Sequence, residues 1–250
     1  MLIEIDGIEI KAGKNDTVLK AAKRSGIKIP SLCHHDALED VGACRLCMVE
    51  VNHKHWTTPR MVTACEYKVE PGLIVKTKTA DVIKSRHMTL GLLLSRAKNS
   101  DILKSMALKN GFEPVGFHSH IEEEPSCISC YLCVRVCNHL GFNAITMVNR
   151  GVDKKADAPY STAPESCVGC GSCASVCPVN YIQIEDTEDK RTIWNREFEM
   201  VKCSSCGAPF ISKAFAEYAL NNRALSQNYY EKCPECKRVE TASKFGRIGS

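Results

Sequence analysis

The chain has 250 residues, room for one large domain or several small ones, and its 44% hydrophobic and 25% charged residues are ordinary for a globular protein. A formal charge of +4 gives no basis for nucleic-acid binding. The most apolar stretch, Met88 to Leu94, is far too short to span a bilayer, and no basic segment with an apolar core opens the chain, so a cytoplasmic protein without membrane insertion is expected.

The outlier is cysteine, at sixteen residues. In a reducing compartment such residues read as metal ligands, not as disulfides. They fall into four groups of four, one in residues 1–79, two in 119–186 and one in 187–250, and a cysteine-free module spans 80–118.

The first module opens with two short strands, Leu2–Ile5 and Ile8–Lys11, joined by an Asp6-Gly7 hairpin turn. A helix is expected from Thr17 to Ser25, capped by Asp16 and ended by Gly26. Strands near Met48–Val51 and Leu73–Thr77 complete a β-grasp ferredoxin-like pattern. Cys33, Cys44, Cys47 and Cys65 are spaced C-x10-C-x2-C-x17-C. One tight pair with two distant partners suits a 2Fe–2S cluster, for which plant-type ferredoxins use a shorter first gap. The loop Pro30-Ser-Leu-Cys33-His-His with Gly42-Ala-Cys44-Arg-Leu-Cys47-Met-Val-Glu-Val51 resembles the 2Fe–2S domain of the large iron–sulfur subunit of respiratory complex I. It also resembles the electron-input domain of iron-only hydrogenases. His34 and His35, next to Cys33, are read as solvated or supporting side chains, because four cysteines are already at hand.

The second module is a helical linker without cysteine, with one helix capped by Asp81 and running through Leu94 and another capped by Asp101 and running through Lys109, ended by Gly111. In the relatives implied by the resemblance, a helix like Ser85–Ser95 leads into a site of one His and three Cys for a further 4Fe–4S cluster. Here no cysteine follows, so that cluster is expected to be missing. His87, His118 and His120 read as surface or packing residues.

In the third module Cys127, Cys130, Cys133 and Cys137 form C-x2-C-x2-C-x3-C, and Cys167, Cys170, Cys173 and Cys177 repeat it, followed by Pro178. This is the run of bacterial two-cluster ferredoxins, in which the fourth cysteine ligates the other cluster. The expected sets are therefore Cys127, Cys130, Cys133 and Cys177 for one 4Fe–4S cluster, and Cys137, Cys167, Cys170 and Cys173 for the second. The fourth cysteine is expected at the start of a helix, pointing away from the other three. Small residues such as Gly169, Gly171 and Ser172 would let backbone N–H groups approach sulfur. The first run departs from the second in carrying Tyr131 in place of Gly171 and Asn138 in place of Pro178.

The last module carries Cys203-Ser-Ser-Cys206 and Cys233-Pro-Glu-Cys236, two knuckles of zinc-ribbon type, read as structural zinc or else a further iron–sulfur cluster. Between them a helix from Ser212 to Asn222 carries an apolar stripe of Phe210, Ala214, Phe215, Tyr218 and Ala219, read as core.

The expected fold is thus α+β and modular: a β-grasp 2Fe–2S domain, a helical linker, a two-cluster 4Fe–4S ferredoxin domain and a zinc-ribbon-like tail. No G-x-G-x-x-G and no P-loop occur, so no substrate-conversion site and no direct binding of NAD or flavin are expected. The resemblance covers residues 1–186 and is close to the iron–sulfur diaphorase subunit of NAD-linked hydrogenases. It implies a relay of single electrons between a flavin/NAD(P)H subunit and a catalytic subunit such as a hydrogenase or formate dehydrogenase, in an anaerobic setting. Electron bifurcation is left open. Two other readings are an iron–sulfur subunit of succinate dehydrogenase or fumarate reductase type, against which the ten-residue first gap argues, and a non-catalytic redox-sensing adaptor.

Overall fold

The computed structural model describes residues 1–109, 111 and 125–246. His118, His120 and the expected boundary between 118 and 119 lie outside the described residues. The chain divides into two compact units: Met1–Val136, Met147–Ala156 and Val176–Tyr181 form the first, and Cys137–Thr146, Asp157–Ser175 and the chain from Ile182 onward form the second.

In the first unit, Leu2–Ile5 (β1) and Ile8–Lys11 (β2) form the expected hairpin, with Asp6 and Gly7 both at positive φ. Helix α1 spans Val18–Arg24. Its N-cap is Thr17, whose hydroxyl accepts from Lys20 N at 3.4 Å, and not Asp16. Asp16 instead accepts from Gly13 N at 2.5 Å and pairs with Arg24. Both residue types can cap, and the tight turn at Gly13 occupies the carboxylate.

Strands Met48–His53 (β3), Arg60–Thr63 (β4) and Leu73–Lys76 (β5) complete a five-stranded sheet of order β2-β1-β5-β3-β4. The central β1–β5 pair is parallel and the others antiparallel, which is β-grasp topology. β4 is an edge strand with a single buried residue, Thr63, so it leaves no alternation to read in the sequence. Ile3, Ile5, Val18, Leu19, Val49, Val51 and Val75 bury their side chains between sheet and α1. Each contributes about 1.5–3 kcal/mol.

Helix α2 (Ala80–Arg96) is capped by Thr79, whose hydroxyl accepts from Val82 N; Asp81, the expected cap, lies in the first turn, where its charge favours the helix dipole. Helix α3 (Asp101–Lys109) begins one residue after Ser100, whose carbonyl accepts the first helical bond from Lys104 N at 3.1 Å; Asp101 is therefore inside the helix and not its cap. Leu90, Leu93, Ala97, Leu103 and Ala107 form a second core with Leu32, Leu46, Ile128 and Val179. Helix α4 (Leu132–His139) carries the chain out of the first unit, and Thr146–Val148 (β6) pairs with Lys155–Asp157 (β7).

The second unit contains the short helix α5 (Ser172–Ser175) and a four-stranded antiparallel sheet. The strands are Glu185–Asp186 (β8), Lys190–Ile193 (β9), Arg196–Lys202 (β10) and Pro209–Ser212 (β11), in the order β11-β10-β9-β8. Helix α6 (Lys213–Asn222) lies where the sequence suggests, with Ser212 as its N-cap, and α7 (Pro234–Gly246) begins within the last knuckle. Of the expected stripe, Phe215 and Tyr218 meet Phe142 at ring-centroid distances of 6.2 and 4.8 Å and Ala219 is buried, whereas Phe210 lies in β11 and not on the helix, which begins three residues later. Among the described residues, no helix is long and apolar enough to cross a membrane.

Candidate metal centres

The N-terminal four cysteines come from the loop between α1 and β3 and from the turn after β4. Cys33, Cys44, Cys47 and Cys65 are at most 3% exposed. Backbone amides aim at their sulfurs: Cys44 N donates to Cys33 Sγ and Leu32 N to Cys44 Sγ, both at 3.4 Å. Hydrogen bonds from Cys44 and then Cys65 hold the Cys33 thiol well below its ordinary range, while Cys44 and Cys65 are pushed up. Four buried sulfurs, two of them met by backbone amides, fit a cationic iron core. His34 is held by Asp40 at 2.8 Å and Asp36 at 3.1 Å, and His35 accepts from Ala37 N, so both rings have partners of their own.

The paired run divides between the two units in an informative way. Cys127, Cys130 and Cys133 lie in the first unit together with Cys177, and Cys167, Cys170 and Cys173 lie in the second together with Cys137. In the second unit a small apolar cavity is lined by Cys137, Cys167, Cys170 and Cys173. Burial pushes Cys130 and Cys173 up to about 12, so bare thiols here hold their protons and a bound cation would displace them. The fourth cysteines are not at helix starts: Cys137 is in the last turn of α4, and Cys177 follows α5 by two residues. A helix that already carries Cys133 need not restart to reach the next ligand.

Both loops adopt one backbone. Gly169 and Gly171 have φ of 65° and 76°, and their counterparts Ser129 and Tyr131 have 54° and 65°. The amide of Gly169 donates to Cys167 Sγ at 3.5 Å, and that of Ser129 to Cys127 Sγ at 3.4 Å. Left-handed backbone costs a non-glycine residue about 1–2 kcal/mol, so the first run bears that cost twice to present the same amides. Lys154 supports that loop, its carbonyl accepting from Ser129 Oγ at 3.0 Å and its ammonium meeting the Tyr131 hydroxyl.

In the tail the four sulfur atoms of Cys203, Cys206, Cys233 and Cys236 lie within 4.8 Å of one another, the one group of three or more candidate ligands that close among the described residues. Cys206 and Cys233 sulfurs are 3.9 Å apart, and Cys233 N donates to Cys203 Sγ at 3.3 Å. A tetrahedron with metal–sulfur bonds of about 2.3 Å places sulfurs about 3.8 Å apart.

Sequence reasoning missed the arginines. Arg135 donates to Cys33 O at 2.7 Å, Arg86 to Met48 O at 2.6 Å, Arg96 to Cys127 O at 3.1 Å and Arg196 to Cys167 O at 3.1 Å. Each holds the carbonyl of a candidate ligand or its neighbour and brings positive charge beside sulfur. No spacing rule marks them, because every bond spans at least 29 residues.

Residues 2–80 match the family described as a 2Fe-2S iron-sulfur cluster binding domain, and residues 119–184 match a 4Fe-4S dicluster domain. A subunit of the NADH-quinone oxidoreductase of Rhizobium meliloti (strain 1021) is 30% identical over 230 residues, covering 82% of this chain and 26% of the relative. The alpha subunit of the NADPH-Fe(3+) oxidoreductase of Geobacter sulfurreducens (strain DL-1 / KN400) is 31% identical over 203 residues, covering 72% and 24%. The chain thus spans about a quarter of the length of these curated relatives. The crystal structure of NAD+-reducing [NiFe]-hydrogenase in the H2-reduced state has a chain that superposes with a TM-score of 0.56 at 27% identity, covering 63% of this chain and 74% of that one. With its 2Fe–2S domain, its 4Fe–4S dicluster domain and these homologues, the chain belongs to the family of iron–sulfur subunits shared by NADH-quinone oxidoreductases and the NAD-linked diaphorases.

Proposed function

We propose that this chain relays single electrons inside a multisubunit oxidoreductase of the cytoplasm. It would carry one 2Fe–2S cluster on Cys33, Cys44, Cys47 and Cys65. One 4Fe–4S cluster would sit on Cys127, Cys130, Cys133 and Cys177, a second on Cys137, Cys167, Cys170 and Cys173, and zinc on Cys203, Cys206, Cys233 and Cys236. The partners would be a flavin/NAD(P)H subunit and a catalytic redox subunit, in keeping with the names of the relatives.

The observation that carries the relay is one shared core in the first unit: Cys33 and Cys44 are packed in the same buried cluster as Cys130, with Cys177 against it. Cys33 and Cys44 therefore share apolar packing with Cys130 and Cys177, which supports electron passage between the two proposed sites. Iron–sulfur clusters, when bound, supply acceptance and release of one electron at a time. The chain's own part is to exclude water from the sulfurs, to aim amides at them, and to set arginines beside them so that added negative charge is stabilised. The crossed assignment of Cys137 and Cys177 is supported by the way the two units share out the ligands. Zinc in the tail is favoured by its close sulfurs, which suit one ion; a cubane holds its thiolates farther apart.

Metal and sulfide analysis of anaerobically purified protein tests this, read beside its reduced EPR spectrum. About ten irons and about one zinc per chain are expected. About fourteen irons without zinc would make the tail a fourth cluster, and about six would remove one cubane. Recovery with a regulator in place of a flavoprotein would favour the sensing adaptor.

A further inference from the structure

The β9–β10 hairpin of the tail turns through two residues, Trp194 and Asn195, with Ile193 paired to Arg196. Both central residues have positive φ, 52° and 56°, the turn type that favours Asn and Gly. Asn195 fits; a tryptophan does not. A bulky side chain held in left-handed backbone marks a position where something other than the turn selects the residue.

That something is visible in the second unit. Trp194 and Ile193 line the cavity together with Cys137, Cys167, Cys170 and Cys173. The indole Nε1 is buried and has no hydrogen-bond partner. A buried, unpartnered N–H costs about 1–3 kcal/mol, so its place in a cavity lined by four cysteines calls for an acceptor. The same sheet grips the cysteine loop from several sides. Arg196 donates to the carbonyls of Pro164, Glu165 and Cys167 at 2.8, 2.7 and 3.1 Å, and Arg191 donates to Gly169 O at 3.1 Å. Ser212 Oγ donates to Val168 O at 2.5 Å. The hairpin is thus fixed against the loop and cannot drift from it.

We propose that Trp194, supplied by the tail hairpin, closes the pocket of the second cubane and donates its indole N–H to a cysteine sulfur of that site, raising that cluster's reduction potential. The proposal rests on the reading of Cys137, Cys167, Cys170 and Cys173 as a 4Fe–4S site. An N–H donated to a ligand sulfur stabilises the negative charge that the sulfur carries. The same preference for negative charge at sulfur favours the reduced cluster over the oxidised one. The tail is then part of the relay's tuning as well as a metal-stabilised appendage.

EPR-monitored potentiometry on the full-length, cluster-loaded protein and its Trp194→Phe variant tests this. Phenylalanine keeps a ring in the pocket and removes the donor. One cubane signal is expected to move to lower potential, with the other cubane and the 2Fe–2S signal unmoved. Independently, protein carrying Trp56→Phe and grown with 15N-indole-labelled tryptophan should show a 15N coupling on that cubane in pulsed EPR. This second measurement decides the matter even where Trp194→Phe loses the cluster. An unmoved potential, or no 15N coupling, overturns the proposal while leaving the cluster assignment intact. A wild-type protein with one cubane signal overturns the assignment itself, and the proposal with it.

Discussion

Arg135 shows how much one side chain carries. It leaves α4 between Cys133 and Cys137 and reaches the carbonyl of Cys33, and its remaining Nε and Nη2 donors are buried without partners. Two unpartnered donors on a buried cation call for an anionic neighbour, which cluster-bound sulfurs of the first unit would supply. Arg135→Gln is expected to cost about 1.5–3 kcal/mol through the lost charge-assisted bond. It should also lower the 2Fe–2S potential, because removing a cation disfavours the more negative reduced state. Thermal unfolding and EPR potentiometry check the two parts, and Arg135→Lys should retain most of the potential. Cys133→Ala removes one of four proposed ligands. It is expected to lose up to about four irons per chain and to slow electron passage through the complex, while a flavin partner is still reduced by NADH. Unchanged passage would take that site off the path.

At the scale of elements, helices α1, α2, α3 and α6 and the first hairpin were legible, and the helix caps were not. Thr17, Thr79 and Ser100 hold positions that neighbouring aspartates could fill equally well by residue type. The choice depends on where the backbone turns, which a single sequence does not show. The cysteine loops were legible for the opposite reason: their spacing is a local geometric demand. Gly169 illustrates it. Its φ is +65°, and a Cβ there would stand 2.6 Å from the Phe198 ring. Gly169→Ala is therefore expected to cost about 1–2 kcal/mol in backbone strain alone, with a further loss as the ring moves. Iron retention during thermal unfolding measures it. The four-stranded tail sheet was missed because charged residues crowd its strands, as in Lys190–Ile193 and Arg196–Lys202, and mask the alternation.

For the whole molecule, the prediction concerns the tail. Cys233→Ser is expected to release the tail's metal and leave the irons of the other three sites in place; loss of iron instead would mark the tail as an iron–sulfur site. Metal affinity should fall as pH falls, because the thiols must lose protons to bind. In metal-free protein the amide of Cys233 holds the Cys203 thiol down at about 6. Its folded pKa is depressed, so the stability it contributes is present above the unfolded value of 9.0 and is lost as pH falls toward about 6. A metal-free tail that unfolds equally readily across that window would count against this coupling.

The sequence by itself determined the two domain types, since cysteine spacing is read within a few residues and the 2Fe–2S and dicluster families match where those cysteines stand. It also shows that α2 and α3 carry no cysteine. Only the tertiary structure decided which cations and donors surround the sulfurs. Arg135 reaches across 102 residues, Ser212 across 44 and Arg196 across 29. Contacts of that span follow from packing the whole chain, and residue spacing carries no record of them.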